Sequence, residues 1–116
     1  MQNAANLRVT KFARQLAGTV YRTTSAFPVA ERFGLTAQMR RSAVSIGSNI
    51  AEGCGRSSNR ELVRFLYIAM GSASELEFQA QIASDLELLE PANSEPLLME
   101  IIRIKKMLAR LIKTVS

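Results

Sequence analysis

Residues 40–56 read RRSAVSIGSNIAEGCGR and carry two interleaved sets of side chains at helical spacing. The first set is polar and recurs at i, i+3, i+4 and i+7, so a helix places it on one face. It consists of Ser45, Ser48, Asn49 and Glu52. An apolar set with the same spacing, between positions 43 and 54, lies on another face. Such a helix can bury one side in a core while its small residues pack closely against a neighbour. The segment therefore predicts a helix that takes part in assembly.

The composition of the whole chain is that of a folded protein. Of its 116 residues, 47% are hydrophobic and 22% are charged, which excludes wholesale disorder. This length predicts a single domain over residues 1–116. The single cysteine excludes an internal disulfide, and no apolar run approaches the roughly 20 residues that cross a bilayer. Because the start also lacks the apolar run of a secretory signal, we expect a cytoplasmic protein without membrane contact.

Apolar periodicity predicts the first two helices. Residues 7–26 carry one apolar stripe, which Pro28 ends because the residue before a proline avoids the helical region. Thr36 is the expected N-cap of a second helix over 37–54, whose end is marked by flanking glycines.

Two further helices follow. Ser58 and Glu61 form an S-x-x-E capping box, which predicts a third helix that reaches about residue 88. After a break over 90–94, Ser94 is the expected cap of the fourth helix, with Pro96 in its first turn. The fourth helix has a heptad-like seam with spacings of four and three, formed by Leu97, Ile101, Ile104, Leu108, Leu111 and Val115.

No segment alternates as a strand does, so the sequence predicts an all-α, up-down-up-down four-helix bundle. A second apolar strip on the last helix, which includes Ile102, suggests that this helix also packs against another subunit. We expect Cys54, Met70, Met99 and Met107 to fill the core.

Charge is unevenly distributed along the chain. Residues 1–60 hold nine Lys/Arg and two Asp/Glu, residues 61–102 hold one Arg and eight acids, and residues 103–116 hold five bases and no acid. One interpretation is that basic and acidic helices attract one another within or between subunits. The other is that a basic surface binds phosphate, as in nucleic-acid-binding proteins. The acidic segment can neutralise only one of the two basic ones, so both interpretations stay open.

The residues that most enzymatic chemistry requires are missing. Without histidine the chain has no Ser-His-Asp or Cys-His set, and most zinc sites and the ligands of di-iron bundles are excluded. We expect no cofactor or metal, and an enzyme that uses Ser45, Asn49 and Glu52 as a pocket lining is the weakest of the hypotheses. Structural roles are expected for this polar set, with Glu52 and Glu75 available to pair with Arg40 or Arg41 at a helix interface.

Residues 27–77 resemble a bacterial four-helix bundle family first met as proteins encoded in intervening sequences of 23S ribosomal RNA genes. The resemblance lies in FP-x-x-E-x-F-G-L-x-x-Q-x-R-R at 27–41, VSIGSNIAEG at 44–53 and GSASELE at 71–77. One departure is Gly47, where relatives often have proline. The resemblance implies a cytosolic homo-oligomer similar to five-membered rings of bundles. It also implies distant kinship with the accessory protein of diversity-generating retroelements, a basic ring that engages a reverse transcriptase and nucleic acid.

From these features we expect a non-enzymatic, oligomeric module that binds RNA or DNA without reading bases. The expected phosphate contacts flank the second helix and lie near the end of the fourth: Arg40, Arg41, Arg56, Arg60, Lys105, Lys106, Arg110 and Lys113. The alternative is a scaffold that binds a protein partner, in which these charges serve only subunit docking.

Overall fold

The computed structural model describes residues 7–116, which form four α-helices. They are α1 (Arg8–Thr24), α2 (Leu35–Cys54), α3 (Asn59–Asp85) and α4 (Pro91–Val115), and a short 3-10 turn at Val29–Glu31 joins α1 to α2. No strand occurs within residues 7–116. The predicted all-α class and four-helix bundle are confirmed.

The helices pack as an elongated four-sided bundle of 43 × 23 × 19 Å. Each helix contacts its two neighbours in the order α1, α2, α3, α4 and back to α1, and diagonal pairs do not pack. Because the connections are short, consecutive helices run antiparallel. The most extensive interface joins α2 to α3, and the least extensive joins α1 to α4.

The core is built from the apolar stripes of all four helices. In α4, Leu97, Ile101 and Leu108 have no exposed surface, so the seam serves the packing of this subunit. Cys54 is also buried as expected, and burial raises the pKa of its thiol. A buried thiol with a raised pKa is a poor nucleophile, so Cys54 acts as a small apolar residue. Met99 differs from the expectation, because 71% of its surface is exposed.

Two of the three expected caps were wrong. Helix α2 begins at Leu35, two residues before the expected start at residue 37, and Thr36 is buried inside it. The first N–H of α2 is bonded by the carboxylate of Glu31, since Leu35 N donates to Glu31 Oε1 at 3.3 Å. Helix α4 begins at Pro91, whose fixed φ and missing N–H suit the first helical position, and Ser94 is buried within the helix.

The start of α3 agrees with the prediction, and its end does not. Ser58 Oγ accepts a hydrogen bond from Glu61 N at 3.2 Å, as an N-cap does. The helix ends at Asp85, earlier than expected, because Glu87 takes the left-handed conformation with a φ of 60°. The N–H of Leu88 then donates to Ala83 O at 2.8 Å, which closes the helix in the manner of a Schellman motif.

Candidate nucleic-acid interface

Cations are concentrated at one end of the bundle, where α1 begins, α2 turns into α3 and α4 ends. We call this the basic end and define it as the terminal two turns of each helix there together with the α2–α3 turn. Within the described residues it holds eight cations and two acids, a net +6. The cations are Arg8, Lys11, Arg14, Arg56, Arg60, Arg64, Arg110 and Lys113. At the opposite end, the same count gives four cations and five acids.

Two cations of the basic end pair with acids on their own segment. Arg56 lies 3.5 Å from Glu52, and Arg64 lies 3.2 Å from Glu61. Both pairs are exposed, so each neutralises little of the local field. The two guanidinium groups also lie over the ring of Phe65, at 5.0 and 4.7 Å from its centroid, which restricts their direction.

The remaining cations of the basic end stay free of ion pairs within residues 7–116. Arg60, Arg110 and Lys113 are exposed and have no carboxylate within 4.0 Å. Among residues 7–116, one ion pair joins a basic segment to the acidic one: Lys105 Nζ on α4 lies 2.8 Å from Glu77 Oε1 on α3. Most of the positive charge is therefore available to a partner.

The structure separates the eight predicted phosphate contacts into two groups. Four of them come together at the basic end: Arg56, Arg60, Arg110 and Lys113. Lys106 is exposed on α4 one turn before Arg110. Lys105 is half-buried against Glu77, as described above.

The other two predicted contacts lie near the opposite end of α2. Arg40 donates to Thr24 Oγ1 at 2.9 Å and lies over the ring of Tyr21 at 4.6 Å, so it holds α2 to α1. Arg41 points outward from the next position of the helix. The predicted second helix already has these two at its start and Arg56 and Arg60 beyond its end, and the bundle adds that α4 ends beside the latter pair.

Part of the polar set of α2 forms the contact with α3. Ser45 Oγ and Ser72 Oγ are 2.8 Å apart, and Asn49 Nδ2 donates to Ser45 O at 2.9 Å and to Ser45 Oγ at 3.0 Å. These bonds satisfy small polar groups in a closely packed interface. The expected structural role of Ser45 and Asn49 agrees with this geometry.

The rest of the polar set is exposed. Ser48 faces outward, and Glu52 pairs with Arg56 rather than with Arg40 or Arg41, which lie about three turns away on the same helix. Glu75 is exposed and has no ion pair within residues 7–116. The set therefore does not converge on a pocket.

A row of large side chains on the outer face of α3 was missed by the sequence analysis. Tyr67 is 61% exposed, Phe78 is 63% exposed, and Ile68 lies beside them. Gly71 lies in the middle of this row, and a Cβ added to it would meet no atom within 4 Å. We call these four residues the α3 strip. A helical-wheel plot of α3 would have revealed it, since its aromatic residues fall opposite the apolar core face.

The described part of the chain contains no group of three or more Cys, Asp or Glu side chains placed to hold a metal ion. None of its helices combines the length and the apolar character needed to cross a membrane. The clustered arginines and lysines can neutralise anions, and the site offers them as exposed donors.

Comparison with known proteins finds a matching family and a similar solved structure. The model of the 23S rRNA-intervening sequence protein family matches residues 5–110. Among curated proteins none matches the sequence. The crystal structure of a protein of unknown function from the S23 ribosomal protein family of Bacteroides thetaiotaomicron is similar, with a TM-score of 0.82 and 25% identity. The match covers 90% of this chain and 98% of that one.

Proposed function

The chain belongs to the 23S rRNA-intervening sequence protein family, and we propose that it is a non-enzymatic, self-associating cytoplasmic module that binds the phosphate backbone of RNA or DNA. The observation that supports this proposal is the basic end, with eight cations against two acids. Clustered cations release counterions when they meet phosphates, and this release supplies most of sequence-independent binding.

The geometry favours contacts to phosphate over contacts to bases. Arg60 on α3 and Arg110 and Lys113 on the neighbouring helix α4 are all exposed. The aromatic ring of Phe65 is 9% exposed and is covered by two arginines, so it is not offered for base stacking. Single-stranded readers of sequence use exposed aromatic rings for that purpose.

Self-association is supported by the α3 strip. Tyr67 and Phe78 together leave a large apolar area uncovered in the isolated subunit, and Gly71 between them allows a close approach. A second copy that packs on this strip would bury it. The five-membered ring that the sequence resemblance implies would then bring several basic ends into one assembly, which raises affinity through multivalency.

A titration against salt tests the nucleic-acid proposal. Affinity for a single-stranded RNA should fall linearly on a log–log plot, with a slope of about −0.7 per phosphate contacted. Arg60→Gln should reduce the slope by about 0.7, since it removes one such contact. Arg41→Gln is the matched control, because Arg41 is equally exposed and lies near the other end. An affinity that does not change with ionic strength would rule the proposal out.

The second candidate is a protein-binding scaffold, and one specific observation favours it. Val29 and Phe33, in the connection between α1 and α2, are 84% and 88% exposed. Exposed apolar side chains of this size on a connection are typical of protein contacts. This function predicts that the assembled protein ignores nucleic acid at physiological salt, and that Phe33→Ser abolishes capture of one protein partner.

A further inference from the structure

The structure contains an open groove outside the α3 strip, which overlaps the basic end at Arg8 and Arg110. It has a volume of about 670 Å³ and lies between the start of α1 and residues 99–114 of α4. Its apolar floor consists of Leu7, Val9, Met99, Ile102, Met107 and Leu111. Of the four helix interfaces of the bundle, the one between α1 and α4 is the least extensive.

Four cations line the same groove, and those of α4 lie between Ile102 on one side and Met107 on the other. Arg8 comes from α1, and Arg103, Lys106 and Arg110 come from α4. No acid is among the residues that line the groove in the described part of the chain. The guanidinium of Arg103 lies 4.2 Å from the centroid of the Phe12 ring and that of Arg8 lies 5.6 Å from it, so both are held beside the groove.

The dimensions match a helical ligand. From Met99 to Thr114 the groove follows α4 for sixteen residues, which is about 22 Å or four helical turns. The three α4 cations recur at i, i+3 and i+7, which is about once per turn over two turns. A ligand with one anionic head group would use only one of them. A helix with acids spaced three and four positions apart would use all of them.

We propose that this groove binds an acidic amphipathic helix of a partner protein. Apolar side chains of the helix contact Met99, Ile102 and Met107, and its Asp and Glu side chains pair with the cations between them. Methionine side chains adapt to differently shaped apolar residues, which suits a groove of this kind. This mode of recognition is the helix-in-groove type, and it goes beyond the proposed binding of nucleic acid.

The test uses a designed peptide of about 15 residues whose leucines follow i, i+3, i+4, i+7 and whose flanking positions are glutamates. Its binding to the full chain is measured by calorimetry at physiological ionic strength, where charges beyond about 8 Å are screened. Ile102→Gln should weaken binding about tenfold, as the loss of a buried anchor does. Ile68→Gln is the matched control, because both isoleucines are 40% exposed and lie on different helices. This control should bind the peptide as the parent chain does.

A second pair of variants tests the charges. Lys106→Glu should weaken binding of the peptide, while Lys113→Glu, on the same helix outside the groove lining, should not. A peptide with glutamine at every glutamate position should bind at least about tenfold more weakly, since it lacks the charge pairs.

Several results would overturn the proposal. One is a glutamine peptide that binds as tightly as the glutamate peptide. Another is an equal loss of peptide affinity in the Ile68 and Ile102 variants, and the third is that neither peptide binds. Binding of oleate in place of the peptide would identify a lipid site instead. A dimer that dissociates in Ile102→Gln would show that a second copy occupies the groove. If the peptide bound only to a chain that starts at Leu7, the first six residues would be the occupant. Because Ile102 lies outside the nucleic-acid proposal, an unchanged RNA affinity in Ile102→Gln separates the two proposals.

Discussion

At the scale of single residues, Gly53 sets how closely α2 and α3 approach. A Cβ at this position would lie 2.8 Å from Phe65 Cβ and 3.0 Å from Leu62 Cδ1. Those distances are too short, so a larger residue forces the two helices apart. The SNIAEG segment therefore requires a glycine here for packing, without any special backbone conformation.

Gly53→Ala should lower the free energy of unfolding by about 1–3 kcal/mol, as overpacking does. The matched control is Gly47→Ala on the same helix, where a Cβ would be 3.6 Å from Ala13 Cβ, an ordinary contact. That variant should be stabilised by about 0.5–1 kcal/mol, because alanine favours a helix interior over glycine. Urea denaturation measures both, and a Gly53 variant as stable as the Gly47 variant would contradict the packing argument.

The carboxyl group of Glu100 should contribute to the pH dependence of stability. Burial raises its pKa, and interactions with Thr19, Arg22 and Arg103 offset only part of this effect. A pKa that is higher in the folded than in the unfolded chain means that the folded chain binds the proton more tightly. This contribution to stability is therefore complete below the ordinary pKa of glutamate and is lost as pH rises through the raised value.

Glu100→Gln should remove that loss. The difference in free energy of unfolding, variant minus parent, should therefore increase as pH rises from 4 to 7. Denaturation curves across this range provide the measurement. Superimposable pH profiles for the two chains would show that the carboxyl group is not desolvated in the way described.

At the scale of elements, hydrogen bonds join α2 to α3 along their long interface. Ser45, Ser72 and Asn49 form a small network in which each partner depends on the others. Removing one hydroxyl leaves the other without its partner in a part-buried site, and removing both does not.

Ser72→Ala and Ser45→Ala should each destabilise the chain, by about 1 kcal/mol. The double variant should cost less than the two single costs added together, with a coupling of about 0.5–1 kcal/mol. A double-mutant cycle by chemical denaturation measures this coupling, and strict additivity would mean that the 2.8 Å contact contributes no energy.

The end of α3 depends on an unusual backbone conformation. Glu87 has a φ of 60°, where a side chain is strained and glycine is not. Glu87→Gly should therefore stabilise the chain by about 0.5–1 kcal/mol, after allowing for the greater freedom of glycine when unfolded. The same substitution at the neighbouring Leu86, whose φ is −83°, should destabilise it. Thermal unfolding of the pair provides the comparison.

At the scale of the whole molecule, the antiparallel course of the helices separates charge. Segments that are basic in sequence, at the start and at the end of the chain, meet at one end of the bundle because α1 begins where α4 ends. The acids of α3 other than Glu61, and those of the α3–α4 connection, lie toward the other end. The molecule is therefore electrically polar along its 43 Å axis.

Self-association should depend on the α3 strip. Phe78→Glu should reduce the mass measured by light scattering, since it places a charge in an apolar contact. Leu86→Glu is the control, because Leu86 is 59% exposed on the connection after α3 and outside the strip. An unchanged mass in Phe78→Glu would mean that any assembly uses another face.

The sequence by itself determined the four helices, the buried seam of α4 and the serine cap of α3. These features depend on neighbours three or four positions apart, and a helix preserves that spacing wherever it lies. Only the tertiary structure decided that Arg40 is held on Tyr21 while Arg60 is free, and that α1 and α4 leave a groove. Each of these depends on which helices are neighbours and in which direction they run, and local periodicity does not contain that information.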